Sequence, residues 1–225
     1  MDARISAVNT GGGKRSAAAP VPDRARERDW QALGCTLVAG IDEVGRGPLA
    51  GPVLAAAVIL PADDAPAWLA CLRDSKQLSA ARRETLAYSI RAEAIAWGLG
   101  IVDAAQIDAV GIAPAARRAM RAAVRALARP PDALLIDAFF LDGVCVPQEA
   151  VIHGDARCSA IAAASIVAKV ARDRLMAAYD VQYPGYGFAH NRGYGTAAHL
   201  AALAARGPTP IHRRSFAPLR MSLTG

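Results

Sequence analysis

The sequence predicts an α/β fold with a mixed central sheet flanked by helices, and two features of the 225-residue chain carry that expectation. Two short apolar runs, Leu37 to Ile41 and Val53 to Leu60, are separated by a glycine-rich turn, as expected for neighbouring antiparallel strands. Later apolar runs then alternate with segments of helical composition, the pattern of a sheet covered by helices.

Taken in order, residues 1–30 hold Gly11-Gly12-Gly13, a triple alanine, two prolines and a mixed-charge run from Asp23 to Asp29. With little periodic hydrophobicity, they read as a flexible leader without chemistry, and order is expected to begin near Leu37. Residues 31–225 read as one catalytic domain that includes a basic C-terminal region. After the first two strands, Ala80 to Ala94 has helical composition and Ala96 to Val102 reads as a third strand. Ala113 to Ala128 is a second helix, studded with Arg117, Arg118, Arg121 and Arg125 and stopped by Pro130-Pro131. Ala133 to Ile136 starts a buried strand, a short strand follows near Ala150 to Ile152, and Ser159 to Tyr179 makes a long alanine-rich helix. Thr196 is a good N-cap for a helix over Ala197 to Ala205, which Gly207 is placed to end. There is no internal repeat.

A composition of 53% hydrophobic and 20% charged residues belongs to a globular chain, not a disordered one. The net charge of +6 and the pI of about 9.5 are compatible with a polyanionic partner without establishing one. Cys35, Cys71, Cys145 and Cys158 have no C-x-x-C spacing, so they read as small buried hydrophobes in a reducing compartment and not as zinc ligands. No apolar run approaches the ~20 residues of a spanning helix, and the first residues lack a signal-peptide core, so no membrane partner and a cytoplasmic location are expected.

The strongest local signal is the run from Gly40 to Pro52, in which an apolar strand delivers Asp42 and Glu43 and at once enters a turn with three glycines and two prolines. Acids at the end of a buried strand are expensive unless paired or metal-bound. Neighbouring strand residues point to opposite faces, so these two can share a metal only where the strand bends. Taken alone, such a pair reads more simply as a surface turn. Leu134-Leu135-Ile136-Asp137 is a second apolar run ending on an acid, and strand ends are where α/β sheets gather their sites. Asp155, just ahead of the long helix, is either a helix N-terminal acid or the last of four clustered carboxylates. Such an oxygen-only set suits Mg²⁺ or Mn²⁺ and permits two-metal hydrolysis. Asp142, Asp173 and Asp180 read as structural, with Asp173 paired to Lys169 four residues earlier.

From Val181 to Gly225 there is no acidic residue, while Arg192, Arg206, Arg213, Arg214 and Arg220 occur with three histidines and with Tyr183, Tyr186, Phe188 and Tyr194 interleaved. Arginines on phosphates and an aromatic on a base or sugar are one reading; a solvated tail with aromatics in the core is the other. Lys76, in Asp74-Ser75-Lys76, reads equally as a loop lysine or a phosphate contact.

Together these segments resemble ribonuclease HII. The resemblance runs over roughly residues 35 to 220, in the family's order. It begins with Gly40-Ile41-Asp42-Glu43-Val44-Gly45-Arg46-Gly47-Pro48, Asp74-Ser75-Lys76, Leu135-Ile136-Asp137 and Gly154-Asp155. It continues through Ala162 to Asp173, Gly193-Tyr194-Gly195-Thr196 and His212-Arg213-Arg214-Ser215-Phe216. It implies a ribonuclease H-like sheet with a helical C-terminal extension and a metal site of Asp42, Glu43, Asp137 and Asp155 for Mn²⁺ or Mg²⁺. Gly45, Arg46 and Gly47 would grip the ribonucleotide so that the backbone reads the 2′-OH, the group that distinguishes RNA from DNA. Tyr194 would pack on the neighbouring sugar. The activity implied is cleavage of RNA in RNA–DNA hybrids and on the 5′ side of single ribonucleotides embedded in DNA. A monomer is expected, with a replication clamp as a further partner. Three positions depart from the family pattern: Val44 replaces an alanine, Ala138-Phe139-Phe140 replaces a small glycine-containing turn, and His153 replaces a lysine. They bear on rate and metal preference. The alternatives are another nuclease or strand-transfer enzyme of the same fold, and a non-catalytic module with vestigial acids. Clustered negative charge facing phosphate argues against the second.

Overall fold

The computed structural model describes residues 21–63 and 66–220. Most of the expected leader and the last five residues of the basic tail lie outside the described residues. Strands β1 (Val38–Val44), β2 (Val53–Ile59), β3 (Ala96–Val102), β4 (Ala133–Asp137) and β5 (Gln148–Val151) form one sheet in the order β3-β2-β1-β4-β5. The first three make an antiparallel meander, whereas β4 runs parallel to β1 and β5 parallel to β4. The expected mixed sheet is therefore present. Parallel pairing has one consequence that matters below: β1, β4 and β5 all end at the same edge.

Alternation along the strands sends residues to two cores. In β2, Ala56 and Val58 face one side and Ala55, Ala57 and Ile59 the other; in β4, Leu135 parts from Leu134 and Ile136 in the same way. Helix α6 (Ser159–Gln182) and α2 (Ala80–Glu93) cover the first face, and α4 (Ile112–Arg125) covers the second. Alanine is the contact residue in both layers. Gly40 sits so close beneath α6 that a Cβ would lie 2.1 Å from the carbonyl carbon of Ala160, and at Gly100 it would lie 1.9 Å from the Ala119 oxygen on α4. Small residues on both sides let the helix backbones settle directly onto the sheet.

Order begins earlier than Leu37, because Ala25–Ala32 forms α1. Its anchor is polar and so leaves no apolar periodicity to read. The buried Glu27 carboxylate accepts the Ala160 N–H at 2.8 Å, and the Asp23 carbonyl accepts the Ser159 N–H at 2.8 Å. Both satisfy donors in the first turn of α6, whose own N-cap, Cys158, contributes no side-chain bond. The helix α3 (Ala104–Val110) was also not anticipated; Asp103 and Gln106 form its capping box, and Gly111 at φ +82 separates it from α4. Toward the C-terminus, α5 (Gly154–Arg157) precedes α6, and α7 (Phe188–Asn191) and α8 (Ala197–Arg206) follow it. Thr196 accepts the His199 N–H and Gly207 at φ +74 ends α8, as expected.

Candidate active site

The four acids arrive from three adjacent strand ends. Asp42 and Glu43 lie near the end of β1, Asp137 is the last residue of β4, and Asp155 stands four residues beyond β5, in α5. The ladder between β1 and β2 stays in register through Val44, opposite Leu54, so no bulge brings the two acids to one face; they meet instead at the strand end, where the charge of Glu43 still acts on Asp42. Asp42 leaves β1 on the α6 side, where the Ser165 hydroxyl hydrogen-bonds it, and Glu43 leaves on the other. Asp42 also accepts the N–H of Glu43 at 2.8 Å, and Asp137 accepts the N–H of Gly154 at 2.8 Å, which fixes the orientation of each.

The acids are close enough to disturb one another. Burial, then the negative charge of Glu43, with further repulsion from Asp137 and Asp155, pushes Asp42 well above the usual carboxylate range. Burial also raises Glu43, against the opposing attraction of Arg46, and raises Asp137 against its bond to Gly154. Two cations stand at the margins: Arg46 is 3.2 Å from Glu43 Oε1, and Lys76 Nζ is 3.1 Å from Asp155 Oδ2. Burial opposes the charge of Lys76, but attraction to Asp155, Asp74 and Asp42 outweighs it and holds the ammonium above its ordinary value. Glu43 Oε2 is buried with no hydrogen-bond partner among the described residues.

Among the described residues, no three His, Cys, Asp or Glu side chains already stand gathered around a metal position. Four mutually repelling carboxylates, one with an orphaned buried oxygen, nevertheless fit a hard divalent cation, which would supply the missing positive charge and draw them inward.

The turn after β1 faces the same edge. A Cβ on Gly47 would lie 3.6 Å from the half-exposed Tyr194 ring, so the glycine turn and that tyrosine adjoin. The backbone N–H groups of Gly45, Arg46 and Gly47 have no partner among the described residues. Phe139, from the segment that departs from the family pattern, lies under the Arg46 guanidinium at 5.1 Å. Ala138 and His153 both adopt left-handed backbone, at φ +58 and +55, and Val44 packs against the core beneath α6.

Several supporting residues were not anticipated. Ser75 and Ser165 are buried and 3.0 Å apart, and they tie the Lys76 loop to the helix that holds Asp42. Ser165, a polar residue inside the apolar run of α6, was the available signal, whereas Ser75 lies in the polar run Asp74-Ser75-Lys76-Gln77 and gave none. Arg213, expected among surface arginines, is fully buried, as are His199 and His212. Burial of these groups divides the tail between the two readings: Tyr186 and Phe188 are core, while Tyr194 stays half-exposed. Asp173 pairs with Lys169 as expected, and with Arg83 and Arg192 as well.

The profile of the family described as Ribonuclease HII matches residues 39–219. A Ribonuclease HII of Enterococcus faecalis is 55% identical over 87% of this chain and 80% of its own length, and one of Dehalococcoides mccartyi is 50% identical over 91% and 96%. Among solved structures, the ribonuclease H2 of Pyrococcus horikoshii superposes with a TM-score of 0.70 at 25% identity, covering 82% of this chain and 95% of that one. Two others share the fold. One is the PCNA:RNase HII complex of Archaeoglobus fulgidus, with a TM-score of 0.63 at 24% identity over 84% of this chain and 95% of that one. The second is Bst-RNase HIII in complex with Mn²⁺, with a TM-score of 0.61 at 21% identity over 86% and 71%.

Proposed function

This chain belongs to the ribonuclease HII family, and from that premise we propose that it cuts DNA on the 5′ side of single embedded ribonucleotides as well as the RNA strand of RNA–DNA hybrids. Membership makes it a ribonuclease H acting on hybrids with a divalent metal. The finer reading rests on one juxtaposition: a carboxylate cluster beside a turn that offers free backbone N–H groups, with Tyr194 at its rim. Carboxylates alone would serve any nuclease of the fold. Free backbone donors next to them suit recognition of a 2′-OH.

Asp42, Glu43, Asp137 and Asp155 are the residues that would hold Mg²⁺ or Mn²⁺. What such ions supply when bound is an activated water and stabilisation of the leaving 3′-oxygen, so that the products carry a 3′-hydroxyl and a 5′-phosphate. The protein's part is orientation. Ser165 and the Glu43 N–H hold Asp42, Gly154 holds Asp137, and Arg46 and Lys76 keep Glu43 and Asp155 from turning outward. Lys76, with its side chain largely exposed, can also meet a phosphate at the same edge. The Tyr194 ring is placed to pack on the sugar adjoining the ribonucleotide.

A monomeric cytoplasmic enzyme belongs to the same reading; the four cysteines are unpaired and, among the described residues, no helix is long and apolar enough to cross a membrane. A replication clamp stays among the proposed partners; the Archaeoglobus fulgidus relative was solved with PCNA.

The test uses a DNA duplex containing one ribonucleotide, an all-DNA duplex and an RNA–DNA hybrid, each with Mg²⁺, Mn²⁺ or a chelator. The expected result is one metal-dependent cut 5′ of the ribonucleotide and none in all-DNA duplex. Cleavage of the hybrid without incision at the single ribonucleotide would reject the finer reading and leave the family activity standing.

A further inference from the structure

We infer that Arg213, seconded by Arg172, is the positioning residue that aims the backbone N–H groups of Arg46 and Gly47 at the substrate. This rests on the reading that the turn meets the ribonucleotide. Both arginines are almost wholly buried, at 0% and 1% exposure, and both point at the turn from behind. Arg213 donates to the carbonyls of Gly45 at 2.5 Å, Arg46 at 2.8 Å and Gly51 at 2.9 Å. Arg172 donates to Pro52 at 3.1 Å, Ala50 at 3.2 Å and Arg192 at 3.0 Å.

Peptide planarity turns those bonds into a statement about the opposite side of the turn. In a trans peptide the C=O and N–H of one unit point in opposite directions. The Gly45 oxygen shares its plane with the Arg46 N–H, and the Arg46 oxygen shares its plane with the Gly47 N–H. A single guanidinium fork that takes both oxygens therefore fixes both N–H vectors away from the core. Those N–H groups have no partner among the described residues, and Gly47 adjoins Tyr194. Arg172 also packs directly on the turn, where a Cβ on Gly45 would lie 2.2 Å from its Nε, so no side chain can replace that glycine.

The energetics favour a role beyond packing. Burying a guanidinium costs several kcal/mol unless it is well satisfied. Neither of these has a carboxylate in ion-pair contact among the described residues; carbonyl oxygens and the Phe216 ring, 5.1 Å from Arg213 Cζ, are what they touch. Burial, then the charge of Arg172, pulls Arg213 down to about 9, and burial pulls Arg172 down to about 10, so both remain charged at neutral pH. Two positive charges thus stand behind the turn, where they also favour a phosphodiester in front of it. Lysine cannot replace the fork, since one ammonium cannot reproduce its planar pair of donors.

The experiment measures equilibrium binding of the full chain in an Asp137→Asn background with Mg²⁺, comparing a duplex that carries one ribonucleotide with its all-DNA counterpart. The ratio of the two affinities in that background reports 2′-OH reading; a ratio of one there would reject the substrate reading itself, separately from the arginine assignment. Adding Arg213→Lys is expected to lower the ratio about tenfold, the worth of one or two hydrogen bonds, with all-DNA affinity within about twofold. Arg172→Lys is expected to lower the melting temperature comparably but to change the ratio far less, since its carbonyls lie at the far end of the turn. An unchanged ratio in folded Arg213→Lys, or an equal loss in both variants, overturns the assignment. Should Arg213→Lys fail to fold, amide hydrogen exchange on the unsubstituted chain decides. Fast exchange at Arg46 and Gly47, slowed by the ribonucleotide duplex and not by all-DNA duplex, supports the proposal; protection in the free chain overturns it.

Discussion

Asp42 and Asp137 bring the same carboxylate into different surroundings, and the difference says what each contributes. Asp42 is nearly buried and feels three other acids, whereas Asp137 is partly open and is steadied by one backbone N–H. Replacing Asp137 with asparagine keeps an acceptor for Gly154 and removes one charge from the cluster. Cleavage is expected to fall by about a hundredfold or more, while the fold stays intact and metal-free duplex affinity rises slightly through lost repulsion. Mn²⁺ should raise the melting temperature of the unsubstituted chain and do so much less in the variant, because a ligand of the folded state stabilises it by mass action. Calorimetry with and without Mn²⁺ checks this; an undiminished rise would remove Asp137 from the metal set. The neighbouring Ala138 shows a cost the site carries. Its φ of +58 is a left-handed backbone that an L-residue adopts at about 1 kcal/mol or more. Ala138→Gly is expected to stabilise the fold by up to about 1 kcal/mol after the entropy of glycine is subtracted. Urea denaturation measures it, and a loss of stability would mean that the methyl group packs more than its conformation costs.

At the scale of elements, what could be read from the sequence followed from how each element is held. Strands β1, β2 and β4 and the long helix α6 are held by apolar burial, which writes a period into the sequence, and they were legible along with the two strand-end acids. The α1 helix is held by Glu27 and Asp23 on the N-terminus of α6, a polar anchorage that leaves no periodic trace. The buried arginines were hidden for a related reason: in a run without acids, an arginine facing inward and one facing solvent look alike. Alanine was misleading in the opposite sense. Its abundance suggested only helix propensity, yet it sets the distance between α6, α4 and the sheet. The Glu27 anchor can be dissected with two substitutions. Burial raises the Glu27 carboxyl above its ordinary value, so its charge is unfavourable in the folded state at neutral pH. Glu27→Gln keeps the acceptor for Ala160 and sheds that charge, and stability should change by less than about 1 kcal/mol. Glu27→Ala strands a buried N–H and should cost about 1–3 kcal/mol. Equal losses in chemical denaturation would show that the charge, not the helix cap, is what α1 supplies.

On the scale of the whole molecule, the C-terminal region is joined to the sheet by a buried polar chain. His212 pairs with Ala50 in an isolated bridge, and His212 Nε2 lies 3.1 Å from Nε2 of His199 on α8. The Thr209 N–H donates to His212 Nδ1 at 2.9 Å, so that nitrogen carries no proton. His212 must then donate from Nε2 to His199, which in turn donates from Nδ1 to the Tyr194 carbonyl at 2.8 Å. The proton positions run one way from the bridge to the tyrosine beside the glycine turn, and they require both rings to be neutral. Burial, and then the repulsion that two protonated rings side by side would suffer, pulls His212 down to about 4 from an ordinary 6.5. The sign follows from proton counting. Between those values the unfolded chain binds a proton at this site and the folded chain does not, so stability is fully present above pH 6.5 and is lost as the pH falls toward 4. The difference amounts to about 3 kcal/mol at 1.36 kcal/mol per pH unit. Urea unfolding at pH 7, 5.5 and 4 should show this slope in the unsubstituted chain, and His212→Gln, though less stable at pH 7, should lack that part of it. Parallel pH profiles for the two proteins would mean that His212 is already charged in the folded state and that the proton order from Thr209 to Tyr194 is wrong.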